Sequence, residues 1–301
     1  MLPSVLMKTT DGTERLQVSD TTICLLTTQD LIDKEKLERH QLEHFNGLAK
    51  LLRPDLAVEI ISQADRPDFR VSRGGKLFGL DVAAFAFTAR REAVNQFRSL
   101  KEHLINAYHR GRLRGCQGVH IVVAFGDPGT HPPRRLEQAT VDELITAFER
   151  LTIDSDAWER AATPDWVMGR VPNPFPMGQT GKTSDGQVEW HVPGLMRVEN
   201  NFTKICLFQI EHLYLHTVTK DDVKLRLNEI ISKHDQPGQG IDELIIVAGG
   251  PDRFGEGVMD ESVIANVFIN HWKERIAPPK CIRRVILDNW QASQLAVLFE
   301  R

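Results

Sequence analysis

The strongest constraint on this chain is a set of short, almost wholly apolar runs separated by helical patterns. Val119–Phe125 (VHIVVAF) and Leu244–Ala248 (LIIVA) are too short for buried helices and lack the alternation of a half-exposed strand. Such runs fit strands covered on both faces, hence a sheet with helices on either side. The helical patterns lie between them. Leu31, Leu37, Leu42, Phe45, Leu48 and Leu52 recur at roughly helical spacing over Asp30–Leu52, with Pro54 just beyond. Arg91–Arg112 carries Ala93, Phe97, Leu100, Leu104 and Tyr108 on one stripe. Val141–Leu151, Thr219 to about His234, and Glu261–Arg275 read as further helices. Further strands are expected at 21–27, Leu56–Ser62, Asp68–Ser72, Leu77–Phe85, Ile205–Ile210, Ile282–Leu287 and Gln294–Phe299. The fold class is α/β with a mixed sheet. Residues 163–194 are rich in Pro and Gly and read as a long loop with a hairpin near Val188–Val192. The expected organisation is an α/β core from 1–130 and 200–301, with a loop-rich insertion at 131–199.

Composition excludes several classes. With 301 residues, 21 Gly and 15 Pro, the chain is neither collagen-like nor disordered. The opening MLPSVLMKTTDGTER holds no apolar run of signal-peptide length, and no run is long enough to span a bilayer. Cys24, Cys116, Cys206 and Cys281 are scattered through apolar segments, which suggests buried free thiols rather than a zinc cluster. A cytoplasmic protein without membrane contact is expected. The net charge of −4 is unevenly spread. Arg66 to Arg114 contains eleven Lys/Arg against Asp68, Asp81, Glu92 and Glu102, a local +7 that leaves −11 elsewhere. Lys/Arg contacts to phosphates dominate non-specific nucleic-acid affinity, so Arg70, Arg73, Lys76, Arg90, Arg91 and Arg98 are candidate nucleic-acid contacts.

The same window holds the candidate chemistry. Residues 66–85 read RPDFRVSRGGKLFGLDVAAF. Asp68 and Asp81 lie on two strands joined by Gly74-Gly75, a hairpin signal. Antiparallel pairing about that turn places both carboxylates at one end of the hairpin. Two adjacent carboxylates repel unless a cation lies between them, which points to a hard divalent metal such as Mg2+ or Mn2+.

Pro67-Asp68, the hairpin and then Asp81 within an apolar strand resemble the PD-(D/E)XK, or restriction-endonuclease-like, nucleases. The resemblance implies a central mixed sheet flanked by helices, with one helix before the hairpin and one after it. Asp30–Leu52 and Arg91–Arg112 fill those places. It implies metal-dependent hydrolysis of DNA, more readily than RNA, in restriction, defence or DNA processing. Asp68 and Asp81 would be metal ligands and Glu38 an acidic residue added from the first helix. It is compatible with a homodimer or a place in a larger complex. Ala83 departs from the pattern, because it stands where the family has lysine. Lys101 or Gln96 on the following helix, or Lys76 on the hairpin, would have to take over that role. A site without the lysine also suits a degenerate fold that binds nucleic acid or protein without cutting.

Other motifs compete. His40-Gln-Leu-Glu43-His44 matches H-x-x-E-H, which on a helix puts two zinc ligands on one face with Glu43 as base and would make the chain a zinc peptidase. No downstream acidic ligand is evident. Arg98–His103 fits an R-x4-H pattern of all-helical ribonucleases, but strong strands flank it. Gly178 to Thr183 is like a P-loop, yet Pro176 replaces the first Gly and no strand precedes it. Trp166 and Trp190 flank the loop-rich segment and are expected to anchor it.

Overall fold

The computed structural model describes residues 5–17, 21–25, 33–113, 120–125, 136–151, 179–192, 206–210, 217–252, 259–272 and 274–301. The chain divides into two compact units. One comprises Ser19–Thr28 and Thr88–Leu215; the other comprises Leu2–Val18, Gln29–Phe87 and His216–Arg301. The division falls at Thr88, so the helix that follows the hairpin belongs to the other unit.

In chain order the strands are β1 (Val5–Lys8), β2 (Glu14–Gln17), β3 (Thr21–Leu25), β4 (Glu59–Gln63), β5 (Phe69–Arg73), β6 (Lys76–Phe85), β7 (His120–Phe125), β8 (Thr180–Lys182), β9 (Val188–His191), β10 (Cys206–Ile210), β11 (Thr217–Thr219), β12 (Glu243–Ala248), β13 (Arg284–Asn289) and β14 (Gln294–Glu300). The helices are α1 (Lys34–Leu52), α2 (Thr88–His109), α3 (Gln138–Glu149), α4 (Lys220–His234) and α5 (Met259–Val267). A π-helical turn at Phe268–Trp272 follows α5, so the helix expected over Glu261–Arg275 is shorter and changes pitch.

The second unit is built on a six-stranded sheet of order β14-β13-β12-β6-β5-β4. Strands β4, β5 and β6 form an antiparallel meander. Strand β12 pairs parallel to β6 and β13 parallel to β12, while β14 returns antiparallel. This is the mixed α/β sheet flanked by helices that the apolar runs imply. All six residues of β12 are buried, because helices cover both its faces. On one face Leu42, Phe45 and Ala49 of α1 pack with Phe69, Val71, Leu80, Val82, Ile245, Val247 and Ile286. On the other, Val223, Leu227, Ile230 and Ile231 of α4 and Ile264 of α5 pack with Leu244, Ile246, Val285 and Leu287. Both edges of the sheet are bulged, β4 between Ile60 and Ser62 and β14 opposite Val285 and Ile286. Bulges of this kind blunt edge-to-edge pairing with other chains.

Local chemistry sets the boundaries. Asp33 caps α1 by accepting from the Glu35 N–H at 2.9 Å. The helix stops before Pro54, which opens a 3-10 turn at Pro54–Leu56 and delays the expected strand to Glu59. The β5–β6 hairpin turns on Gly74 and Gly75 with φ of 57° and 79°, the left-handed pair that a two-residue turn needs. Thr219 and Asp222 form a capping box at α4, each side chain taking the other's backbone N–H. Thr219→Ala is expected to destabilise this unit by about 1 kcal/mol. Urea unfolding of the two proteins checks it.

The first unit holds a five-stranded sheet of order β3-β10-β7-β9-β8, with β10 parallel to β7 and the other pairs antiparallel. Helices α2 and α3 bury Phe97, Leu100, Leu104, Val141, Leu144 and Phe148 with Ile121 and Val123 of β7. The hairpin expected near Val188–Val192 is β8–β9. There Gly181 lies under the Trp190 ring, where a Cβ would come within 2.5 Å. Lys182 pairs with Glu189 at 2.8 Å, and Thr183 hydrogen-bonds within the turn, so these residues form a hairpin, not a phosphate loop. Most of the loop-rich segment, with Trp166, lies outside the described residues. Cys116 does too, and Cys281 is exposed rather than buried, because it sits in a turn whose N–H donates to Asp235. No helix among the described residues is long and apolar enough to cross a membrane.

Candidate functional site

The β5–β6 register sets Phe69 opposite Leu80, so Asp68 and Asp81 fall opposite one another one step beyond. Each carboxylate accepts a main-chain N–H from the other strand. Asp81 Oδ1 accepts from Asp68 N at 2.8 Å, and Asp68 Oδ2 accepts from Val82 N at 3.0 Å. The two carboxylates are therefore locked side by side, at 8% and 4% exposure. Asp68 Oδ1 has no hydrogen-bond partner among the described residues.

The strand end is held from beyond the hairpin as well. Gly79 abuts the Gly240 carbonyl, where a Cβ would approach to 1.9 Å. The Asp242 carboxylate accepts the Gly79 N–H at 2.9 Å. A side chain at position 79 would push β6 off the 235–242 segment and displace Asp81.

Burial pushes the Asp68 carboxyl up to about 6, and the neighbouring Asp81 and Glu38 charges add to it, against the Val82 N–H that favours the ionised form. The folded state thus holds the Asp68 proton over a range where the unfolded chain has released it. Stability falls as pH rises from about 4 to about 6, and the full penalty remains above that. Asp68→Asn removes this penalty while its amide oxygen can still accept from Val82. Without added metal, the variant should be more stable than wild type by up to about 3 kcal/mol at pH 8, with no difference near pH 4. Thermal melts across that range read the effect.

The basic groups at this site were not evident in the sequence. His234, in the last turn of α4, places Nδ1 2.9 Å from Asp81 Oδ2. Lys34, in the first turn of α1, pairs with Glu38 at 3.1 Å. Its Nζ is held protonated by that Glu38 contact and by the Asp68 and Asp65 charges. The only signal for His234 was its position at the end of the helix that leads into β12, the neighbour of β6.

The other expected residues are dispersed. Glu38 is close enough to influence Asp68, but it is engaged by Lys34. Among the described residues no group of three His, Cys, Asp or Glu is arranged to hold a metal ion. In the structure Glu38 stands as a neighbouring charge of Asp68 that pairs with Lys34. Gln96 and Lys101 lie on α2, in the other unit from Asp68 and Asp81. Gln96 is 1% exposed there, with both amide atoms unpartnered among the described residues. Arg73 is consumed by the fold. It donates to Glu243 at 2.7 Å and to the Leu56 and Ala57 carbonyls, over the Phe78 ring. Arg70 and Lys76 are exposed on the hairpin, and the side chains of Arg90, Arg91 and Arg98 lie outside those described.

The H-x-x-E-H histidines have aromatic and carboxylate partners within the fold. His44 stacks on Trp290 with ring centroids 3.6 Å apart and sits 3.4 Å from the buried Asp288, whose carboxyl burial pushes up. His40 packs against the same Trp290, and Glu43 points to solvent.

The chain was compared with family models, with curated proteins and with solved structures, and it matches none of them.

Proposed function

We propose that this protein is a metal-dependent phosphodiesterase of the PD-(D/E)XK type that hydrolyses nucleic acid, DNA in preference to RNA. The observation that carries the reading is the Asp68–Asp81 pair, buried side by side on adjacent strands. The order of elements supports it. Helix α1, the β4–β5–β6 meander, helix α4 and the parallel strand β12 would serve as the helices and mixed sheet of such a core, with Thr88–Leu215 of the first unit lying between β6 and α4 in the chain.

The donor set fits a hard divalent cation. Two carboxylates forced together are costly without a counter-charge, and Asp68 Oδ1 is open to a ligand. Mg2+ commonly takes one or two carboxylates and keeps several waters, so two protein ligands suffice. Asp68 and Asp81 would hold the ion, which when bound lowers the pKa of a coordinated water and neutralises charge on the phosphate. The chain's own groups do the rest. Glu38 and Lys34 set the local charge, and the Asp81 contact fixes the His234 ring. Position 83 is alanine, and His234, on Asp81, and Lys34, whose charge reaches Asp68, are basic groups at the pair.

Incubating the full chain with DNA and RNA in Mg2+ or Mn2+, beside Asp81→Asn, tests the proposal. Ala83 favours a second reading, a degenerate nuclease fold that binds nucleic acid without cutting. That reading predicts salt-sensitive binding with no cleavage in any divalent metal.

A further inference from the structure

The first unit contains a groove that the carboxylate site does not use. It lies between α2 and α3 and has a volume of about 430 Å3, within the range of small-molecule sites. His103, Asn106, Ala107 and Arg110 are spaced three and four residues apart, so they present one face of α2 and its C-terminal extension to the groove. Ala107 and Ile145, 5% and 4% exposed, form an apolar floor.

The charged groups in the groove are unequally satisfied. Arg112 is engaged by Glu149 through two bonds of 2.6 and 2.8 Å. Asp142 accepts from Gln138 at 3.0 Å. The side chains of Arg110, His103 and Asn106 have no partner among the described residues. The groove therefore presents the Arg110 guanidinium flanked by two further donors, with the Asp142 carboxylate also in the lining and the Gln138 amide on one of its oxygens, above an apolar floor. A phosphodiester brings one negative charge and several acceptor oxygens, and the sugar or base attached to it brings a flat, partly apolar body.

We infer that this groove binds a nucleotide phosphate. Arg110 takes the phosphate, His103 and Asn106 supply hydrogen bonds, and Ala107 and Ile145 carry the attached nucleoside. The phosphate comes either from a nucleic-acid strand or from a free nucleotide. The inference does not depend on Asp68 and Asp81.

The experiment uses the full-length chain in EDTA, so that the carboxylate pair holds no metal. Binding is followed by anisotropy with a short labelled single strand and with its duplex, and by calorimetry with AMP and with inorganic phosphate. Arg110→Gln should weaken binding about tenfold and reduce the salt dependence by about one phosphate contact. Asn106→Ala should weaken it less. Both side chains are exposed, so melting temperatures should not change. Tight binding of the strands with none of AMP identifies a chain phosphate, and binding of AMP identifies a free nucleotide. The inference is overturned if neither binds, or if Arg110→Gln binds within twofold of wild type with an unchanged salt slope. A protein that binds through Arg110 but never cuts keeps this inference and loses the nuclease reading. A protein that cuts in Mg2+ while Arg110→Gln binds as wild type does the reverse.

Discussion

Asp81→Asn should lower metal-dependent cleavage by at least about a hundredfold while leaving the fold intact. Asp81 is the more connected of the paired carboxylates. Its Oδ1 takes the Asp68 N–H and its Oδ2 meets His234 Nδ1. An amide in its place keeps the shape and loses the charge. It also turns one acceptor into a donor facing either the Asp68 N–H or His234. Any divalent ion then loses half of its protein charge. The same variant should abolish the rise in melting temperature that Mg2+ or Mn2+ gives the wild type, a readout independent of turnover. Asp68→Asn should likewise abolish cleavage, and it should raise metal-free stability at pH 8. Catalytic loss joined to a stability gain separates a functional carboxylate from a structural one. Cleavage that survives both substitutions would falsify the site assignment.

Glu243→Ala should destabilise the second unit by about 3–5 kcal/mol. Glu243 opens β12 with no exposed surface. Its Oε1 accepts from Arg73 at 2.7 Å, Arg283 at 2.9 Å and Arg284 at 3.2 Å. One carboxylate on β12 thus ties the hairpin strand β5, on the far side of β6, to the start of β13. Removing it leaves the mostly buried Arg73 without a counter-charge and leaves Arg284 to Glu300 alone. Glu243→Gln keeps the shape and part of the hydrogen bonding, so it should cost less than Ala and still be clearly destabilising. Urea unfolding at neutral pH measures both, and a loss below 1 kcal/mol for the alanine variant overturns the account. Arg73 serves this network and so is withdrawn from the residues expected to face phosphates.

The hairpin was legible in the sequence because its determinants are local. Gly74-Gly75 specifies a two-residue turn, and the period-two geometry of paired strands then puts Asp68 opposite Asp81. Helix α1 was legible for the same reason, from its apolar spacing and from Pro54. The surroundings of the other candidate residues depend on non-local information. Gln96 and Lys101 follow the hairpin in the chain but belong to the first unit, while within the second unit α4 packs against β6. His44 reads from the sequence as a surface histidine of a long helix within an H-x-x-E-H pattern, and only the fold brings Asp288 and Trp290, more than two hundred residues later, against it.

The sequence by itself determined the α/β class, the hairpin and the approach of two carboxylates, since hydrophobic period, turn chemistry and strand pairing act over a few residues. The tertiary structure alone decided which side chains stand beside those carboxylates, because His234 reaches Asp81 from 153 positions away. It also decided which arginines the fold consumes, as Arg73 is engaged by a glutamate 170 positions later. Long-range pairs of this kind depend on strand order and on which helix covers which face, and side-chain spacing along one chain does not encode either.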